Sequence, residues 1–264
     1  MKGILVKLYR ILSFLGINPI LGFRNLKGLK WIQNDKKAFK KICEVNNYFE
    51  FPLKNYPVAT DKYDKSGVMS GHYFHHDLLI ASKIFKAKPK KHVDIGSRID
   101  GFVAHVASFR EIELVDIRPN KSNSENINFI QLNAMDSLEE KYKEYTDSVS
   151  SLNAIEHFGL GRYGDPIDCF GHLKGIRTAK DFLTKNGIFY FAVPIGSQRV
   201  EFNAHRVFSL RYLLDILLED FWIKAFDYVD DKGDLNRNVK LSEENIINNC
   251  NCEFGCGIFE LQKK

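Results

Sequence analysis

Cysteine is scarce and odd in number, five in 264 residues. A small secreted scaffold stapled by disulfides needs a higher and usually even count, so that class is excluded and a reducing cytoplasm fits better. No uncharged apolar run reaches the ~18–20 residues a membrane-spanning helix needs. The first residues, MKGILVKLYRILSFLGINPILGF, are basic and apolar like a signal peptide. Lys7 and Arg10 interrupt the apolar part, however, and no small-x-small cleavage site follows. Positive charge is also missing from most of the chain. Residues 1–41 hold ten Lys or Arg and one Asp, a net of +9 against +5 for the whole, which leaves −4 on the other 223. Such a remainder offers phosphates no broad attraction and argues against a nucleic-acid partner.

What is present reads as globular, with 44% hydrophobic and 27% charged residues. The length allows one large domain with a modest extension. Leu5, Leu8, Leu12 and Leu15 recur at helical spacing in the basic segment 1–41. That segment is expected to form an amphipathic helix, seated on an anionic leaflet at the inner face of the membrane, on its own domain or on another subunit. Residues 42–85 read as helices and a loop leading into the main domain, with room for a lid over a ligand.

From residue 86 onward, β-rich runs alternate with helical stretches. Strands are expected at 92–96, 111–117, 126–134, 148–157, 187–195, 221–229 and 255–262. Helices are expected at 101–109, 137–145, 173–185 and 209–220, the last capped by Ser209. Alternation of this kind implies a parallel sheet covered on both faces, a doubly wound α/β fold. The last two strands lack a helix between them, so the final one should be an antiparallel neighbour of the sixth. Seven strands with that ending describe the Rossmann-like class I methyltransferase sheet. Phe182, Leu183, Phe189, Phe191, Leu213, Leu214 and Leu217 read as core.

Ligands in such folds sit at the carboxyl ends of the strands, where strand order reverses. The first turn reads Asp94-Ile95-Gly96-Ser97-Arg98-Ile99-Asp100-Gly101. Gly96 and Gly101 have the spacing of a phosphate-binding P-loop, but Phe102 and Val103 stand where it needs Lys and Ser or Thr. Arg98 stands where a dinucleotide fingerprint needs its second glycine. S-adenosylmethionine carries no phosphate and suits the turn better. Asp94, Gly96, Ser97, Arg98 and Gly101 would hold it at the turn, with Gly96 beneath its methionyl part, Asp116 at the end of the second strand its ribose, and Asp136 its adenine amino group.

Four stretches, SGHYFHHD (70–77), HVDIGSRIDGFVAHVASF (92–109), AIEHFGLGRYGDPID (154–168) and FNAHRVFS (202–209), resemble the DUF268 family. The resemblance runs from about residue 55 to the end. It implies kinship with S-adenosylmethionine-dependent methyltransferases and a setting in bacterial surface-polysaccharide gene sets. Sugar O-methylation in capsule or lipopolysaccharide synthesis is the activity expected from that setting. A methyltransferase-like module that has lost catalysis and tethers a glycan assembly is the alternative.

Methylating an alcohol needs a base for its proton or a divalent cation. His157, at the end of the fourth strand, is the first candidate for the base, with Glu156 either orienting it or touching the cofactor's methionyl amine; His205 is the second. Arg162, Tyr163, Asp165, Asp168 and His172 equip the following loop for a polyhydroxylated substrate, although Asp165-Pro166 could simply be a turn capping the next helix. Arg199 and Arg206, with Asn203 between them, could grip a nucleotide-sugar diphosphate. His72, His75, His76 and Asp77 form a candidate metal cluster that lacks an assigned further ligand. Cys250, Cys252 and Cys256 lack the spacing of a structural zinc site and read as reduced thiols.

Overall fold

The computed structural model describes residues 2–48 and 50–264, and of residues 2–5 and 10 only the backbone. It divides into two compact units, Met1–Val68 and Met69–Lys264.

The first unit holds helices α1 (Lys2–Phe14) and α2 (Pro19–Val45). Leu5 of the expected stripe lies outside the described side chains. The bend between the helices is written in the sequence. Gly16 takes φ +77°, a conformation glycine adopts without cost, and the Ile17 N–H returns to the Leu12 carbonyl at 2.8 Å. Asn18 then caps α2 by accepting from the Leu21 N–H at 3.0 Å, and Pro19 occupies the first helical position, where a missing N–H costs nothing. One face of α2 is covered by the chain that follows. Gly28 lies so close to Ala59 that an added Cβ would sit 2.4 Å from the alanine's own. Arg24 pairs with Asp64 at 2.7 Å, and Lys62 pairs with Asp35 at 2.6 Å.

The second unit begins with α3 (His72–Ala87), followed by β1 (Val93–Ile95) and a π-helical turn, Ile99–Val103, that runs into α4 (Ala104–Ala107). Then come β2 (Ile112–Asp116), β3 (Ile127–Gln131), β4 (Thr146–Leu152), a 3-10 turn Ile155–His157, α5 (Gly171–Phe182) and β5 (Leu183–Ile195). The chain continues through β6 (Arg199–Glu201), β7 (His205–Val207), α6 (Leu210–Leu217), β8 (Phe221–Val229), β9 (Leu235–Asn236), α7 (Glu243–Ile247) and β10 (Gly255–Lys263). The main sheet has the order β3-β2-β1-β4-β5-β10-β8-β9, while β6 and β7 form a separate hairpin. Strands β3 to β5 pair in parallel, and β10 runs antiparallel to both β5 and β8. This is the expected sheet with its reversed last strand, extended by the two-residue β9.

Alternation along β5 shows how the sheet separates two cores. Phe189 and Phe191 point into the cluster under α5 and α6, with Phe182, Leu213, Leu217 and Phe259. Tyr190 and Ala192 point to the other side, where Ile80 and Ile84 of α3 meet Phe102 and Val106. Successive residues of a strand face opposite ways, so one segment feeds both layers. Each such aromatic or Leu side chain, fully buried, stabilises the fold by about 1.5–3 kcal/mol.

Several boundaries differ from expectation. The polar stretch 137–145 forms only a 3-10 turn at Glu140–Tyr142. Its apolar residues are too few for a helical stripe, and Tyr142 and Tyr145 instead pack their rings on Phe182. The fourth strand stops at Leu152, because Asn153 at φ +51° turns the chain. The third stops at Gln131, not 134. Helix α5 ends at Phe182, and β5 begins at once. The hairpin β6–β7 and the short helix α7 were not anticipated.

Candidate functional site

Strand order reverses between β1 and β4, and a cleft of about 360 Å³ opens there, at the carboxyl ends of the strands. Its floor is the turn after β1. Gly96 takes φ +74°, and a Cβ there would meet the Ala154 Cβ at 3.1 Å. Asp94, expected to touch ligand, does not line the cleft. It is fully buried beneath the turn and accepts from the Ser97 N–H (2.9 Å), the Ser97 hydroxyl (2.7 Å) and the Ser150 hydroxyl (2.5 Å). Burial pushes its carboxyl up to about 6, although the three donors oppose that.

The network continues inward. Because Ser150 donates to Asp94, its oxygen is free to accept from His92 Nε2 at 3.0 Å. That leaves His92 Nδ1 to accept from Ser148 at 2.8 Å and fixes the tautomer. His92 is buried and neutral, its pKa lowered to about 3 by desolvation. Sequence reasoning missed His92 and Ser150. The signal was the run Ser148, Ser150, Ser151 in a buried central strand, since buried hydroxyls need partners.

Ser97 and Arg98 line the cleft, whereas Gly101 does not. Gly101 lies against α3, where a Cβ would come within 2.5 Å of Asp77 Oδ2. Arg98 lies over the Tyr73 ring at 4.7 Å, and Tyr73 closes one side of the cleft. Asp116 lines the cleft as expected, but Arg118 holds both its oxygens, with Nε at 3.0 Å and Nη2 at 2.6 Å. Asp136 is exposed and does not line the cleft; Asn133 and Met135 do. Ile117, Leu132 and Ala134 supply an apolar wall beside them.

On the opposite wall, His157 lines the cleft. Its Nδ1 donates to the Ala204 carbonyl at 2.6 Å, leaving the Nε2 lone pair free. Desolvation lowers its pKa to about 4, only partly opposed by that backbone bond, so the ring is neutral at physiological pH. Glu156 Oε1 is 3.6 Å from Nε2. Glu156 is fully buried with Oε2 unpartnered, and burial pushes its carboxyl up to about 8. Asn153, unremarked in the sequence, lines the cleft and is 3.5 Å from the Cys256 thiol.

The loop after His157 is tied to itself. Asp165 accepts from the N–H groups of Gly159 (2.7 Å), Gly161 (3.2 Å) and Tyr163 (3.1 Å). Tyr163 and Asp165 line the cleft; Arg162 lies outside its lining and donates to the Ala204 carbonyl at 3.0 Å. Asp168 shapes the turn into α5: it accepts from the Phe170 N–H at 2.8 Å and pairs with Lys174 at 2.6 Å. His172 is buried on α5 and bonds the Tyr212 hydroxyl at 2.6 Å, away from the cleft.

Arg206 has a different task from the anion grip expected of it. It is buried, and its guanidinium donates to the carbonyls of Phe158 (2.6 Å), Glu156 (3.3 Å), Asp168 (3.3 Å) and Cys169 (3.4 Å). Arg199 pairs with Glu201 at 2.7 Å, and neither it nor Asn203 lines the cleft. The ring of His205 is 6.4 Å from that of His157, and its Nε2 is 3.4 Å from Glu201 Oε2, outside the cleft lining.

The metal candidates do not converge. His72 packs its ring on Phe254, and His76 Nδ1 lies 2.9 Å from Asp77 Oδ1. Among the described residues no group of three or more His, Cys, Asp or Glu is placed to hold an ion. Cys250, Cys252 and Cys256 are buried free thiols.

The sheet order, its reversed last strand and the glycine turn at the switch point define a Rossmann-like class I methyltransferase fold. Residues 101–252 match the family described as "Caenorhabditis protein of unknown function, DUF268", and over that majority of its length the chain belongs to the DUF268 family. The match contains 154–168 and 202–209, starts inside 92–109, and leaves 70–77 outside. No curated protein matches the sequence. Among solved structures, the N-methyltransferase NodS from Bradyrhizobium japonicum, in complex with S-adenosylhomocysteine, is similar at TM-score 0.48 and 12% identity, over 73% of this chain and 88% of that one. The 1,6-didemethyltoxoflavin-N1-methyltransferase from Burkholderia thailandensis is similar at 0.48 and 13%, over 71% and 78%. An S-adenosylmethionine-dependent methyltransferase from Clostridium acetobutylicum gives 0.48 and 11%, over 72% and 91%.

Proposed function

We propose that the chain is an S-adenosylmethionine-dependent O-methyltransferase acting on a sugar hydroxyl, of a nucleotide-sugar or a surface glycan. The cleft residues suit the cofactor. Gly96 keeps side-chain bulk off the floor, Ile117, Leu132, Ala134 and Met135 suit an adenine, and Asp116 would accept from ribose hydroxyls with the lone pairs that Arg118 leaves it. When bound, the cofactor supplies an electrophilic methyl group. His157 takes the acceptor's proton at Nε2, which its Nδ1 bond to Ala204 leaves unprotonated and held in one orientation. Glu156, 3.6 Å away, favours the imidazolium once it is ionised itself. Tyr163 offers a hydroxyl-bearing ring at the same wall. Sugar as acceptor, and capsule or lipopolysaccharide synthesis as setting, rest on the family resemblance read from the sequence.

The observation that carries this reading is the neutral His157, its free nitrogen on the wall of the cleft floored by Gly96. The alternative, a binding module without catalysis, draws support from Arg118, which holds both oxygens of Asp116. Calorimetric titration with S-adenosylhomocysteine separates the two. Binding to both the parent and His157→Ala, with a gain of one CH₂ in the acceptor's mass only for the parent, is the expected result. No binding at millimolar cofactor would leave the binding module as the surviving reading.

A further inference from the structure

Residues 11–23 of the first unit form a run without charge between Arg10 and Arg24. The bend between α1 and α2, 81°, falls within this run. It is held by the Gly16 turn and the Asn18 cap, so the corner has a built shape. The side chains it presents are largely apolar and open to solvent. Phe14 is 90% exposed, and Leu15, Ile17, Ile20 and Phe23 are each more than half exposed. The covered side of α2 is the Gly28 side, under Ala59; Phe23 and Leu26 lie on the opposite side of the helix. Cations flank the corner. Lys7 precedes it, Lys27 and Lys30 follow, and the Lys27 ammonium lies 4.4 Å from the Phe23 ring centroid. No single helix among those described is long and apolar enough to cross a bilayer.

We infer that this corner is a monotopic membrane wedge for an anionic leaflet. Phe14, Ile17 and Ile20 enter the acyl boundary, and the flanking lysines stay among the headgroups, their stems lying along the apolar surface. Two features select lipid over a second copy of the chain. Two copies would each bring the +9 of residues 1–41 to the contact and repel, whereas acidic headgroups neutralise it. The excess charge also lies in the segment that bears the corner, residues 1–41, since residues 42–264 are net −4. The inference does not depend on methyl transfer.

The test is co-flotation of the full chain with phosphatidylcholine vesicles, with and without phosphatidylglycerol. Flotation is expected with the anionic vesicles and should weaken as salt rises. The double variant Phe14→Asp/Ile17→Asp should lose at least about tenfold in vesicle partitioning. Both side chains are exposed, so its thermal melt should match the parent's, which separates a lost wedge from a lost fold. Absence of flotation with either vesicle at low salt would overturn the proposal, as would a double variant that floats like the parent. A dimer in sedimentation that this variant abolishes, without flotation, would give the corner to a second copy.

Discussion

Replacing Glu156 by Gln should make the protein more stable and less active, increasingly so as pH rises. The Glu156 carboxyl resists ionisation up to about pH 8, against an ordinary 4.5, because it is fully buried with one oxygen unpartnered. In the unfolded chain it ionises freely. A carboxyl raised in this way contributes stability in full below pH 4.5 and loses it as pH climbs through about 8. At 1.4 kcal/mol per pH unit, that interval corresponds to roughly 5 kcal/mol, an upper figure since buried sites relax. Gln has the same shape and no charge at any pH, so it carries none of this slope. Urea melts of the two proteins should therefore nearly coincide near pH 4.5 and separate by about 3–5 kcal/mol near pH 8.5, the variant being the more stable. Turnover should move the other way. The parent's rate should climb toward about pH 8 as Glu156 ionises beside His157, and the variant should stay slow and flat. Stability curves that run parallel across this range would refute the argument, because they would mean that Glu156 is solvated or paired in the folded protein.

Two further outcomes follow from the same wall and floor. Asp116→Asn should weaken S-adenosylhomocysteine binding about tenfold by calorimetry, whereas Arg118→Ala should leave it unchanged or tighten it by up to about fivefold. The Arg118–Asp116 pair is half-exposed on the arginine side and holds the carboxylate by less than ~1 kcal/mol; equal losses in both variants would make Arg118 a cofactor contact. Arg206→Ala should lower unfolding free energy by about 3 kcal/mol, since four carbonyls lose a charged donor, and Arg206→Lys should restore only part of it. A chemical denaturation series decides that point.

The sheet was legible because its signals are local: apolar runs of strand length, glycine after β1, a serine cap on α6. Asp116 was legible for the same reason, standing at the last position of β2. Asp136 was misplaced by a strand end. With β3 expected to reach 134, the ligand-facing position fell at 136; the strand stops at Gln131, and Asn133 and Met135 take the wall. Asp94, at the glycine turn, and Arg206, paired in sequence with Arg199, both suggest ligand contacts. Each is buried instead, and each serves the backbone or its neighbours through atoms distant in sequence: Ser150 for one, the carbonyls of residues 156–169 for the other. Carbonyl oxygens carry no side-chain signature, so no motif could have revealed their convergence. His92 left an indirect trace in the serines of β4, since hydroxyls inside a central strand require a partner.

The guanidinium of Arg206 reaches carbonyls at both ends of the segment from Glu156 to Cys169, and Asp165 knots its middle. A segment clasped at both feet cannot swing like a hinged flap. The cleft is bordered elsewhere by Tyr73 and by Arg98, an exposed arginine stacked on that ring. The glycine-rich segment thus behaves as an anvil, a fixed wall of the cleft.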